Sequence, residues 1–350
     1  MKISQRILIA AAALCVAAGM ASAAGQKEGE KRVLPAGPAF ASVSFMDDEG
    51  VVKPVAQKAA KPLKIAVIGM ENNPFWIPVK EGAYKAAAEL KDLNCTVDWI
   101  VPSGDAHTSD FFGNAIESAI VQKYDAIATI AGDSGIVPYI NKAVEAGIPV
   151  ATFNVETTTE NKRLFFVGAD LYKQGEDSAK IMARELGNKG KVALLTGFFS
   201  VEGHEQRRLG FIETLAKVAP DIKIVGQVET LDKADVAYNQ AKDFMSANPD
   251  LSAFMVCAGG AFGVGKAIED SGKAGIIKLI NYDFIDETME QVASGVCTGT
   301  IGQGPFAQGH DPAIRLFNYL VAGQVPPAGR LLTKAEFVTK ANVSKFWTKK

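Results

Sequence analysis

Strand-like and helical segments in strict alternation, with each strand apolar along its whole length, predict an α/β protein of two doubly wound lobes. Three observations carry this. From Lys64 onward, short apolar runs alternate with amphipathic stretches to near the end of the chain, the pattern of parallel sheets with helices on both faces. The strands are continuous Val, Ile, Ala and Phe runs, as expected where both faces of a sheet are buried. About ten repeats within 350 residues are too many for one open sheet or one core, which divides them between two lobes. An eight-fold barrel is the competing arrangement. The repeat number exceeds eight and the strand-end residues fall into two sets, which disfavours it.

The series opens with "KIAVIG" and a helix over residues 77–90. It continues through "TVDWIV", a helix around "FFGNAIESAIVQ", "AIATIAG", the helix "VPYINKAVEAG" and "PVATFN". The second half runs through "LFFVGAD", "LYKQGEDSAKIMARELG", "KVALLTG", "RRLGFIETLAKV", "IKIVGQVET" and "VAYNQAKDFMSANP". It closes with "SAFMVCAG", "VGKAIEDSG", "IIKLINYD", "ETMEQVASG", "TGTIGQG" and "DPAIRLFNYLVAG". Several helical segments end in glycine, among them Gly147, Gly187, Gly272 and Gly295, a usual stop signal.

Before the series, Lys2 and Arg6 precede an apolar stretch and then Ala21-Ser22-Ala23. A basic start, a short apolar run and an A-x-A site read as a signal peptide over residues 1–23, too short for a comfortable membrane span. The expected location is therefore periplasmic, with cleavage near Ala23. Residues 24–62 are rich in Ala, Gly, Lys, Pro and Glu without a sustained period and read as a flexible leader. An edge strand around "ASVSF" is the alternative for part of it. Cys95, Cys257 and Cys297 have no metal-like spacing; buried free thiols or one bridged pair remain open. A formal charge of −2 argues against a generally basic, nucleic-acid-binding chain.

In open parallel sheets, ligands bind outside the carboxyl ends of the strands. Those tips carry Asn73, Phe75 and Trp76 after the first strand, then Asp133, then Asn154. Later tips carry His204 and Arg207, Asp283, and Gln303. Carboxylates accept hydrogen bonds from hydroxyls, arginine donates through a planar fork, and amides do both. Flat aromatic rings cover the C–H faces of a sugar ring. Together these types suit a polyhydroxylated ligand. Each also has a plainer use: Asp133 and Asn154 as helix or turn caps, His204 and Arg207 as a solvated helix face, and Phe75 as core packing.

The segments "NNPFW" (72–76), "AGIPVATFN" (146–154), "RRLGF" (207–211), "NYDF" (281–284) and "TGTIGQ" (298–303) carry a further signal in their order and spacing. Over residues 64–343 the chain resembles the periplasmic sugar-binding proteins of ABC transporters, the type I group that includes ribose-binding protein. The resemblance implies two Rossmann-like lobes joined by a three-strand hinge, closing over one sugar. It places the lobes at residues 64–169 with 304–330 and at 170–303 with 331–347, with crossings near Asp170, near Gln303 and near Arg330. It assigns ligand contacts to Asn73, the stacking rings Phe75 and Trp76, Arg207, Asp283 and the hinge-side Gln303. The chain departs from the ribose pattern at Asn154-Val155, where that group has an Asp-Arg pair, and at Ala258-Gly259, where it has an asparagine. Leu231 replaces an aromatic. The implied pocket is less polar and roomier, suited to a larger or deoxygenated sugar or a polyol.

The expected partners are a sugar or polyol and an ABC transporter permease, with a chemoreceptor or sensor kinase as the alternative. The expected state is a monomer without cofactor, metal or nucleic acid. LacI-type regulators share the lobe pair, but a signal sequence stands where their DNA-binding helices would be. An enzyme finds little support: "GGAFGVG" (259–265) does not match a dinucleotide fingerprint, and the three histidines His107, His204 and His310 lack metal-ligand spacing.

Overall fold

The computed structural model describes residues 34–103 and 108–349. The signal-peptide segment lies outside the described residues, as do the first ten residues of the expected leader and His107. The first sheet begins with β1 (Val43–Phe45), β2 (Leu63–Ile68), β3 (Cys95–Ile100), β4 (Ala126–Thr129), β5 (Val150–Phe153) and β6 (Phe165–Gly168). The second sheet follows with β7 (Lys189–Thr196), β8 (Asp221–Glu229), β9 (Ala253–Val256), β10 (Lys278–Tyr282) and β11 (Gly299–Ile301). The chain then returns: β12 (Arg330–Leu332) joins the first sheet and β13 (Phe337–Val338) the second. Among the described residues the strand orders are β1-β12-β6-β5-β4-β2-β3 and β13-β11-β10-β9-β7-β8. All pairings are parallel except β13 on β11. Two doubly wound lobes are thus present, each around its own apolar core.

The helices are α1 (Trp76–Leu90), α2 (Ser109–Val121), α3 (Val137–Glu145), α4 (Leu171–Glu185), α5 (Glu202–Val218), α6 (Ala234–Ala247), α7 (Ala261–Asp270), α8 (Asp286–Ser294) and α9 (Pro305–Ala322). Local chemistry sets several ends. Thr108 caps α2 by accepting from the Phe111 N–H at 3.3 Å, and Asp170 caps α4 through Lys173 N–H at 3.0 Å. One device recurs in both lobes. A Cβ on Gly82 of α1 would lie 2.1 Å from the Phe306 carbonyl oxygen of α9, and one on Gly309 only 1.8 Å from that of Val79. Likewise Gly175 of α4 would meet the Arg207 carbonyl at 2.2 Å, and Gly210 of α5 that of Tyr172 at 2.3 Å. The first lobe thus has the pair α1 and α9 in backbone contact, and the second lobe α4 with α5 and also α6 with α7, where Gly263 would meet the Ala234 carbonyl at 1.9 Å, separations that only glycine permits.

Two expectations need correction. The leader is not loose from residue 34 onward. β1 extends the first sheet in parallel beside β12, with Val43 opposite Arg330, which is the "ASVSF" alternative. Further along, Arg315 holds the Asp48 carboxylate at 2.7 and 2.8 Å, and Asn318 bonds both Val55 N–H (2.8 Å) and the Lys53 carbonyl (3.0 Å). Polar side chains of α9 hold the segment together with scattered apolar anchors, Met46 and Ala59 in the core and Val52 and Val55 against it, which form no period. The third crossing lies between Leu332 and Phe337, not at Arg330, because Arg330–Leu332 still pairs with β6. Cys95, Cys257 and Cys297 are free and buried; desolvation pushes each thiol up to about 12, so none is a ready nucleophile. Among the described residues no helix is long and apolar enough to cross a membrane.

Candidate functional site

The carboxyl ends of the two sheets face one interlobe cleft. On the first lobe, the Asn73 side chain accepts from the Phe75 N–H at 3.0 Å, a local turn that fixes the entry into α1. Phe75 and Trp76 then meet edge to face, with centroids 5.2 Å apart and planes at 85°. Trp76 is only 3% exposed, yet its indole Nε1–H is buried and finds no hydrogen-bond partner among the described residues. An orphaned buried donor costs about 1–3 kcal/mol. Asn154, at the tip of β5, donates to the Gln308 side-chain Oε1 at 3.0 Å. Gln308 donates to the Gln303 backbone at 2.7 Å, and the Gln303 side chain donates to Asp283 Oδ1 at 2.5 Å. An amide relay thus runs from the first lobe through the hinge to a carboxylate of the second.

The second lobe answers from the first turns of α5. His204 Nδ1 accepts from the Phe198 N–H at 3.1 Å, which leaves the ring proton of the neutral imidazole on Nε2. Arg207 is 5% exposed. Its Nε donates to Gln174 at 3.0 Å, its Nη1 to the Cys257 carbonyl at 3.1 Å, and its guanidinium lies 4.0 Å from the centre of the Tyr282 ring. Its Nη2 is buried without a partner among the described residues. Asp283 ends β10 in a left-handed conformation, φ 78°, held by its N–H on the Ile301 carbonyl and its own carbonyl on the Thr300 hydroxyl, each at 3.0 Å. Burial pushes the Asp283 carboxyl above the usual range; Arg207 and the Gln303 bond pull it down, and Asp232 pushes it further up.

Asn73, Phe75, Trp76, Asn154, His204, Arg207, Asp283 and Gln303 all line an inner chamber of about 50 Å³. Asp133 does not line it. Its carboxylate accepts from the Gly135 N–H at 2.7 Å and from the Ser109 hydroxyl, so the capping role prevails there. Asp232, not singled out from the sequence, does line the chamber, and accepts from the Gly259 N–H at 2.9 Å. The usable signal was its place beside Leu231, just past β8. A second chamber of about 260 Å³ shares Asn73, Phe75, Asp232, Ala258, Gly259 and Asp283 with the first and continues toward Lys233 and Phe262.

The lobes are in contact beside the cleft. Glu202 N–H donates to the Gly132 carbonyl at 2.8 Å. The Glu202 carboxylate accepts from the Thr157 hydroxyl (2.8 Å), the Thr158 N–H (2.8 Å) and the Thr158 hydroxyl (3.1 Å). These bonds cross between the lobes and would be lost in any opening of the cleft. Glu202→Ala should therefore release ligand roughly three- to tenfold faster, since such part-exposed bonds contribute about 1 kcal/mol. Stopped-flow tryptophan fluorescence measures this, and an unchanged dissociation rate would refute the latch.

Comparison with known proteins follows the same lines. Residues 65–324 match the family described as periplasmic binding protein domain. The xylose/arabinose-binding protein of Sulfolobus acidocaldarius is 24% identical over 294 residues, 78% of this chain and 70% of its own length. The D-ribose/D-allose-binding protein of Pseudomonas aeruginosa is 27% identical over 301 residues, 81% of this chain and 91% of its own. An ABC transporter solute-binding protein from Agrobacterium vitis, solved with bound D-fucose, superposes with a TM-score of 0.74 at 28% identity, covering 81% of this chain and 97% of that one. With two parallel sheets, three crossings and strand tips meeting in one cleft, the chain belongs to the periplasmic binding protein family, in its ribose-binding-protein-like branch.

Proposed function

We propose that the protein is an extracytoplasmic receptor that captures a monosaccharide or related polyol between its lobes and hands it, chemically unchanged, to an ABC transporter permease. Export would follow from the signal peptide at residues 1–23. One observation carries the reading. Trp76 and Arg207, from opposite lobes, line the same chamber as Asp283, and each keeps a buried donor, Nε1 and Nη2, without a partner among the described residues. A ligand offering both acceptors and donors on a small ring supplies what each of these groups needs. The Phe75 and Trp76 rings add apolar area for C–H faces, and relatives named for ribose, allose, xylose and arabinose support the class.

Ligand groups that engage both lobes favour the closed form, so binding drives hinge closure. A thermal-shift screen of D-ribose, D-allose, D-xylose, D-arabinose, D-fucose and xylitol tests the reading, because a ligand that binds only the folded state raises Tm. At least one of these should raise Tm and reappear unaltered after incubation with the protein. No response to any of them would refute the sugar reading, and conversion of one would make the protein an enzyme.

A further inference from the structure

Asn94, Lys123, Asn154, Asn188, Leu231, Asp232 and Asp283 have positive φ without being glycine. Such backbone costs roughly 1–2 kcal/mol per residue. Asn94, Lys123 and Asn188 each follow the end of a helical segment, where a left-handed residue is an ordinary terminator. The other four all stand just past strand ends. Asn154 follows β5, Leu231 and Asp232 follow β8, and Asp283 follows β10. Asn154, Asp232 and Asp283 all line the inner chamber. Strain of this kind persists where surrounding structure imposes it, and it gathers at ligand sites.

The Asp232 turn is the most costly of these, with two consecutive left-handed residues at φ 57° and 56°. Its surroundings are fitted to it. The Gly259 N–H holds one carboxylate oxygen at 2.9 Å. A Cβ on Gly197 would lie 2.4 Å from that same oxygen, so the absence of a side chain there makes room for it. Asp232 lines both chambers, whereas Trp76, Arg207 and Gln303 line only the inner one. Leu231, beside it, is 41% exposed and lines neither.

We propose that Asp232 is a second ligand-reading carboxylate, which accepts hydrogen bonds from ligand hydroxyls on the second-lobe wall where the two chambers meet. This rests on the sugar-or-polyol reading above and narrows it. The ligand carries donors at two separate positions, one read by Asp283 and one by Asp232, both of which line the two chambers. A sugar deoxygenated at the second position is rejected even though the rest of its ring fits. The electrostatic push of Asp232 on Asp283 agrees with two carboxylates sharing one polar wall.

Asp232→Asn is the discriminating variant. Asparagine tolerates the left-handed backbone, and its amide oxygen keeps the Gly259 bond. What it loses is the charge and one acceptor, now replaced by a donor. Affinity is measured by calorimetry with whichever of D-ribose, D-allose, D-xylose, D-arabinose, D-fucose or xylitol binds the native protein most tightly. The expected result is binding weakened about tenfold or more, beyond what any change in the Tm of the ligand-free protein accounts for. Affinity within about twofold of the native value would overturn the proposal and leave the sugar reading intact. So would a loss of affinity matched by a fall in ligand-free Tm, which marks a purely structural role. A native protein that binds none of these probes overturns both.

Discussion

Asp283→Ala is expected to weaken ligand binding roughly a hundredfold or more, because truncating one partner of a desolvated charged hydrogen bond typically costs 2–5 kcal/mol. The side chain stands in the chamber with Gln303 donating to it and the Arg207 field across from it. Its loss strands a ligand hydroxyl and the Gln303 amide together. Alanine also fits poorly at φ 78°, so Asp283→Asn provides the stability readout. Burial raises the Asp283 pKa above its ordinary value. A carboxyl of this kind is more readily protonated folded than unfolded. It therefore destabilises the folded state by an amount fully present above the folded pKa, which fades as pH falls toward the ordinary aspartate value of about 4. Asp283→Asn removes that burden. The ligand-free variant should match or exceed the native Tm at neutral pH, and the difference should shrink on acidification. A Tm deficit at neutral pH would contradict this assignment.

Arg207→Lys should lose affinity on a similar scale, roughly a hundredfold, yet with the opposite effect on stability. The guanidinium fork satisfies Gln174 and the Cys257 carbonyl and lies over Tyr282, its Nη2 is buried without a partner among the described residues, and the residue lines the chamber. A lysine ammonium keeps the charge but not this planar geometry. Buried acceptors left without donors cost about 1–3 kcal/mol each, so ligand-free Tm should fall along with affinity. Calorimetry and thermal denaturation of the same sample separate the two variants. Asp283→Asn lowers affinity without lowering stability, and Arg207→Lys lowers both. Retention of affinity within severalfold in the lysine variant would remove Arg207 from the ligand's contacts.

The two-lobe fold was legible because buried parallel strands announce themselves as unbroken apolar runs, and because ligand groups gather at their carboxyl ends. Asn154, Arg207 and Asp283 could be picked out by position alone for that reason. Asp232 was hidden because it lies three residues past the end of β8, on a turn whose left-handed backbone no propensity scale anticipates. Asp133 misled for the converse reason. It stands at a strand tip, but Ser109, 24 residues earlier in the chain, captures its carboxylate. The leader's order was illegible locally, since its polar anchors are Arg315 and Asn318 on the last helix. Contacts of such sequence separation leave no periodic trace in either segment.

That first strand has a bearing on how the molecule is made. β1 finds its hydrogen-bonded neighbour in β12, and the Gly329 N–H donates to the Ser42 hydroxyl across a separation of 287 residues. A chain synthesised from its amino end cannot complete this edge until nearly all of it has emerged. Closing so long a loop is slow in entropic terms. The β12–β1 edge is therefore the last part of the first sheet able to form.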